Sequence, residues 1–273
     1  MSAVHALPPL AHTGRVTQLR VALSEWTKLR SVRSTRWSLA VAVLLTIGLP
    51  CVFAAVTASH WSHMSPHEQA DRHPLEIATA GVNLSQLAIA VLAVLTITAE
   101  YSTGMIRASF TAVPKRLPVL WAKLVVFSLV TFVLALPSVF IAFWASQAIL
   151  HAQPTLQTSL SDPGVTRTVI GGAVYLVVIG IFAMALGAII RNTAGGISIF
   201  AAIFFVIPPL MNILPSSWNN AISPYLPDAA ARAVFQLTHD SGSLAPGPGV
   251  LLFLGYCALA IVVAAVLLVR RDT

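Results

Sequence analysis

Charge is scarce in this 273-residue chain: 9% of residues are charged and 57% hydrophobic, whereas a soluble domain carries nearly a quarter charged residues. An ordinary water-soluble globule is therefore excluded. There are two cysteines, Cys51 and Cys257. Both lie inside apolar runs, which leaves neither a disulfide framework nor a CxxC metal site. No run alternates with period two, so a membrane β-barrel is excluded as well. GxxxxGK[ST], HExxH and GxSxG are all missing, and no acidic pair stands within an apolar run. Those absences argue against a P-loop ATPase, a zinc protease, a serine hydrolase and an intramembrane aspartyl protease. Ion-coupled carriage needs a buried carboxylate or histidine relay. The only carboxylates bordering the second run are Glu76 at its outer rim and Glu100 at its inner rim. An energy source for transport would have to come from another protein.

What is present is apolar sequence in long stretches. A bilayer core needs about 20 such residues per helix, and six runs qualify, at roughly 38–59, 77–98, 119–147, 169–190, 195–214 and 249–269. The expected fold is all-α: a polytopic integral membrane protein of six transmembrane helices with an N-terminal interfacial amphipathic helix. Residues 1–37 form the tail and that helix, and 38–273 the membrane domain. The first run starts too late and is too long for a cleaved signal peptide.

Basic residues set the orientation. With an even number of spans both termini share a side. That side collects Arg15, Arg20, Lys28, Arg30, Arg33, Arg36, Arg107, Lys115, Arg116, Lys123, Arg191, Arg270 and Arg271. The other holds Arg72, Arg167 and Arg232. Both termini are thus expected in the cytoplasm of a multi-pass cell-membrane protein. The formal charge of +7 then reflects attraction to anionic lipid rather than to nucleic acid.

Residues 1–13 carry two prolines and no periodicity, and read as disordered. From there Val16, Leu19, Leu23 and Trp26 recur at helical spacing opposite Thr17, Arg20, Ser24, Thr27 and Lys28, the pattern of a helix lying in the membrane interface. The first outer loop holds His60, His63, His67 and His73. Spacings of three and four put the first three on one helical face, as a zinc or copper site would need, but Pro66 interrupts that helix. A solvated loop is the alternative. In the second run Thr79, Asn83 and Gln86 share a face, either as helix–helix hydrogen bonds or as the wall of a translocation path. In the fourth, Ala183 and Gly187 make a small-xxx-small pair suited to close packing. The fifth ends at Pro208-Pro209 and Asn212. Beyond it, AAARAVFQL reads as a short re-entrant or surface helix with Val234, Phe235 and Leu237 apolar.

Between the second and third runs lies a basic, semi-polar island, AEYSTGMIRASFTAVPKRLP, Ala99 to Pro118. It reads as a short amphipathic helix ended by a proline turn. Together with SEWTKLRSVRSTRWSL before the first span, AEYSTGMIRASFTAVPKRLPVLWAK after the second and LPSSWNNAISPYLPDAAARAVF after the fifth, it makes most of the chain resemble the membrane subunits of ABC-2 type exporters, in their actinobacterial form.

That resemblance implies a complex of two permease subunits, alike or different, with two separate cytosolic ABC ATPases. The chain itself would be no enzyme and hold no cofactor, since the partner ATPase would bind ATP and magnesium. The island would hold the coupling helix, with Met105, Ile106 and Phe110 as apolar knobs and Glu100, Arg107, Lys115 and Arg116 as polar contacts. The turn at Arg191 would be a second contact. Spans 2 and 5 would line the dimer axis, with Asn83, Gln86 and Asn212 on the path of an amphipathic cargo such as a drug, lipid or peptide. A competing reading is a membrane anchor or sensor that tethers a cytosolic complex and moves nothing. A lipid-acting enzyme would need a convergent catalytic set, which the sequence does not contain.

Overall fold

A computed structural model of the protein describes residues 17–70, 72–102, 117–236 and 244–270. Eleven helices appear among them: α1 (Gln18–Ser31), α2 (Arg33–His60), α3 (Pro66–Ala70), α4 (Pro74–Ser102), α5 (Leu117–Ile149), α6 (Val165–Ile190), α7 (Thr193–Ala201), α8 (Ile207–Met211), α9 (Ser216–Ile222), α10 (Pro227–Arg232) and α11 (Pro246–Arg270). No strand occurs among the described residues.

Six helical stretches are long and apolar enough to cross a membrane: Arg33–His63, Pro74–Tyr101, Leu117–Ala152, Val165–Ile190, Thr193–Met211 and Pro246–Arg270, spans 1 to 6. This is an all-α polytopic membrane protein, and six such helices fit a membrane permease in general. Each of the six expected runs becomes one span. Span 1 begins at Arg33, so the expected boundary at 37/38 falls in its second turn.

Spans 2 and 4 form the centre. Their apolar stretches are 56% and 61% buried, against 22% for spans 1, 5 and 6. Close approach is set by small residues. At Gly180 an added Cβ would stand 2.4 Å from Phe127 Cε1, and at Gly187 it would stand 3.2 Å from Val94 Cα. The Ala183/Gly187 pair thus lies where span 4 meets span 2, so backbones approach without side chains between them. Phe182, Phe200, Phe204 and Phe253 extend the core across spans 4, 5 and 6. Outward faces carry Leu44, Val125, Leu129, Leu251 and Leu259, all more than half exposed, as a lipid-facing surface requires.

Span 5 is built in pieces. α7 widens into a π turn over Ala202–Val206 before α8 resumes, with Pro208 and Pro209 in its first turn. Proline supplies no backbone N–H, and placing the pair at a fresh helix start avoids a missing hydrogen bond. The helix ends at Met211 with Asn212 as C-cap, where the sequence places the break. The connector after span 5 differs from expectation. α10 stops at Arg232, and Ala233–Phe235 form turns rather than continuing the helix. Phe235 is buried there, edge-on to Tyr175 at 4.9 Å. Leu237 lies outside the described residues.

Between spans 1 and 2, α2 ends at His60, a 3-10 turn covers Trp61–His63, and α3 starts afresh at Pro66. The proline therefore breaks the single helical face that would align His60, His63 and His67. Among the described residues no group of three or more potential metal ligands gathers.

Candidate functional site

The interfacial helix α1 starts where the Thr17 side chain accepts from the Arg20 N–H, an N-cap of the usual kind. Leu19, Leu23 and Trp26 line its exposed face. The opposite face, Val21, Glu25 and Leu29 at i, i+4 and i+8, is buried against the protein. A carboxylate on the buried face is the informative departure from amphipathic pattern, because a charge out of water needs partners.

Its partners come from two spans. Lys123, in the second turn of α5, is 4% exposed. Its Nζ donates to Glu25 Oε2 at 2.5 Å and to Glu100 Oε1 at 2.7 Å. Lys28 Nζ donates to Glu25 Oε1 at 2.7 Å and to the same Glu100 Oε1 at 2.8 Å. Two lysines and two carboxylates balance. Burial acts to lower the Lys28 pKa, but hydrogen bonds and charge from Glu100 and Glu25 outweigh it and hold the ammonium above its ordinary value. Glu100 is 6% exposed, and its second oxygen, Oε2, has no hydrogen-bond partner among the described residues.

This quartet closes the base of the polar island. Glu100 lies in the last turn of α4, and Lys123 near the start of α5. The ion pair between them therefore joins the two stalks from which 103–116 emerges, and Glu25 and Lys28 fasten α1 to both. The two segments that carry the resemblance on either side of span 1 and span 2 supply two charges each. Glu100 thus faces inward and holds the island's root. Met105, Ile106, Arg107, Phe110, Lys115 and Arg116 lie outside the described residues.

The turn between spans 4 and 5 is stitched to the same end. Arg191 caps α6 in the left-handed region at φ 56°, where a non-glycine residue is uncommon. Its guanidinium stacks over the Tyr101 ring at 5.0 Å and donates to Leu267 O at 3.1 Å. Thr193 Oγ1 meets Thr98 Oγ1 at 2.7 Å, and the Asn192 side chain accepts from Gly195 N–H at 2.8 Å to start α7. Arg191 is thus tied to spans 2 and 6 within the protein.

At the opposite end lies a cavity of about 350 Å³, lined by His73, Glu76, Thr79, Asn83, Thr158, Thr168, Arg232 and Gln236 among others. Asn83 Oδ1 and Thr168 Oγ1 have no partner among the described residues. Arg232 Nε donates to Asp228 Oδ1 at 3.0 Å. Burial raises the Asp228 pKa, and the neighbouring Arg232 only partly opposes this. Asn83 lines the cavity. Gln86 does not line it. It is fully buried, donating to Asn83 O at 2.9 Å and accepting from Tyr175 Oη of span 4. It thus takes the alternative role, a helix–helix hydrogen bond. Asn212 is exposed at the end of span 5, away from the cavity lining.

Glu25, Lys28 and Lys123 are the site members that motif reasoning passed over. The signal was available: an acidic residue at i−4 from Leu29 on a helix otherwise apolar on that face, and a lysine inside an apolar run. No family model matches the chain, and no curated protein matches it.

Proposed function

We propose that the chain is the membrane-spanning permease subunit of an ABC-2 type exporter, with both termini cytoplasmic and ATP hydrolysed by a separate cytosolic ATPase. The observation that carries this reading is the buried quartet of Glu25, Lys28, Glu100 and Lys123 at the base of the polar island. A docking helix transmits force only if its two stalks are braced. Here both stalks and the interfacial helix are joined by charges that cannot separate without exposing an unpaired ion to the interior. Movement imposed on the island would then carry α1, span 2 and span 3 as one body, the rigid-body rocking that alternating access uses. The partner would meet Met105, Ile106 and Phe110, with Arg107, Lys115 and Arg116 around them. Glu100 and Arg191 would brace from within.

The cargo in this reading is amphipathic, and passes along a route whose outer end includes Asn83. Two permease subunits, alike or different, would pack side by side in the membrane with spans 2 and 5 along their shared axis. The alternative, an anchor or sensor for a cytosolic complex, uses the same braced island and lacks transport.

The test is pull-down of the tagged chain from its native membrane. A nucleotide-binding subunit with Walker motifs is expected to co-purify. Arg107→Glu, or Met105 and Ile106→Asp, is expected to abolish that co-purification while the chain stays in the membrane. Normal complex formation and transport in these variants refutes the assignment. An ATPase that co-purifies but drives no transport in proteoliposomes selects the anchor.

A further inference from the structure

Beside the quartet, where α1 hands over to α2, lies a second cavity of about 480 Å³. One wall is the break itself, with Ser31, Val32, Ser34 and Thr35. The other runs along span 2 to Leu95 and Leu92. Glu25 and Glu100 belong to the wall too, but each is paired with lysine, so the quartet adds no net charge. Leu19, Leu23 and Trp26 on the exposed face of α1 place the break at headgroup depth.

The break leaves hydrogen-bond donors without acceptors. α2 is 28 residues long, and Val32 at its N-cap has no side-chain acceptor to offer. The N–H groups of Arg33, Ser34 and Thr35 therefore find no carbonyl within the helix, and the positive end of its dipole stays open. Thr35 is an independent sign. It is 6% exposed and lines the cavity. Thr46, Thr79, Thr96 and Thr98 each donate to the carbonyl four residues back. Four residues before Thr35 the chain is still in α1, and the Thr35 hydroxyl makes no hydrogen bond among the described residues. Nor is that oxygen one of the unpaired atoms sealed from solvent. Three N–H groups and a hydroxyl at a helix N-terminus make a cradle for an oxyanion.

We infer that the cavity holds the phosphate of an anionic phospholipid at the N-terminus of α2, with the start of an acyl chain along Leu95 and Leu92. A free phosphate would use the same donors but leave the apolar wall bare, whereas a lipid fills both. Arg30, Arg33 and Arg36 are exposed outside the lining and raise the concentration of anionic lipid around it. None of the quartet's four charges comes from α2, so this lipid would fasten the joint between α1 and α2 that the quartet leaves unbraced. The inference rests on the membrane reading of the six spans and not on the ATPase partner.

The experiment reconstitutes the full chain in nanodiscs containing equal phosphatidylglycerol and phosphatidylcholine, extracts it into detergent, and weighs the lipid retained by native mass spectrometry. The wild type is expected to keep phosphatidylglycerol in preference to phosphatidylcholine. Thr35→Val keeps the side-chain shape and removes the hydroxyl, and should lower that retention about tenfold, the worth of one hydrogen bond to a charged group. Val32→Asn supplies the missing cap from within the chain and leaves every arginine in place. It should lose the retained phosphatidylglycerol with no fall in Tm. Leu95→Trp, which blocks the apolar wall, should lose it as well. Equal retention of the two lipids by the wild type overturns the inference. Undiminished phosphatidylglycerol in Val32→Asn does so too, since surface arginines alone would then hold it. Inorganic phosphate that raises the Tm of the delipidated chain as much as phosphatidylglycerol does marks a free-ion site, and also overturns it. ATPase co-purification from native membrane reports on the permease reading separately, because it can fail with lipid retention intact.

Discussion

Lys123→Met is the sharpest probe of the quartet. Met keeps the length and apolar stem of lysine and removes only the ammonium. Lys123 is 4% exposed and is bonded to both carboxylates, so its loss leaves two buried acids sharing Lys28 alone. Removing one partner from a buried charge set costs about 3–5 kcal/mol. At roughly 2 °C per kcal/mol for a chain of this size, the apparent Tm should fall by about 6–10 °C. Lys28→Met serves as the internal control. Its side chain is 29% exposed, so water already screens its pairing with the two acids, which both keep Lys123, and the cost should be smaller than that of Lys123→Met. The decisive variant is Glu25→Gln with Lys123→Met, which restores neutrality by leaving the Lys28–Glu100 pair. It should be more stable than Lys123→Met alone, with a coupling of at least about 2 kcal/mol in the double-mutant cycle. The assay is thermal unfolding in detergent followed by fluorescence-detected size exclusion. A Lys123→Met chain within about 0.5 kcal/mol of wild type, or a double variant that loses the full sum of the singles, refutes the argument that charge balance holds this end together.

Two further outcomes follow from the half of the bundle opposite the quartet. Tyr175→Phe removes the donor to the fully buried Gln86 Oε1 and should cost about 1–3 kcal/mol, while adding Gln86→Leu should recover most of the loss, both read as apparent Tm. Asp228 has a folded pKa raised above the ordinary value of an aspartate, by burial first and only partly offset by Arg232. The fold therefore takes up its proton more readily than the unfolded chain, a contribution that is full below about pH 4 and fades as pH rises through the folded value. Asp228→Asn should accordingly gain in apparent Tm relative to wild type between about pH 4 and pH 7, and a gap that narrows over that range contradicts the sign.

The spans were legible because twenty-residue apolar runs admit one reading in a bilayer. The quartet was not legible as a unit, for a physical reason. Glu25 and Lys123 stand 98 positions apart; alone, Glu25 looks like one more polar residue of an interfacial helix, and Lys123 like a flank charge of the positive-inside pattern. Only tertiary packing turns α1 so that Glu25 points away from lipid. Gln86 misled in the opposite way. An amide in an apolar run signals either a path or a helix contact, and the donor that decides, Tyr175, is 89 positions away. The short α10 shows a third limit. AAARAVFQL has helical propensity, but burial of Phe235 against Tyr175 overrides it by drawing the chain into a turn.

The quartet also bears on how the chain is made. Glu100 is the acidic group that a nascent membrane helix would least tolerate alone, and it leaves the ribosome 23 residues before Lys123. At ordinary synthesis rates that is about one to five seconds. Lys28 was made 72 residues earlier and waits on α1 at the same membrane surface. Glu100 can therefore meet a cation as soon as span 2 is released, and Lys123 completes the set when span 3 follows. The order of charges along the chain gives the buried acid a partner at each stage of insertion.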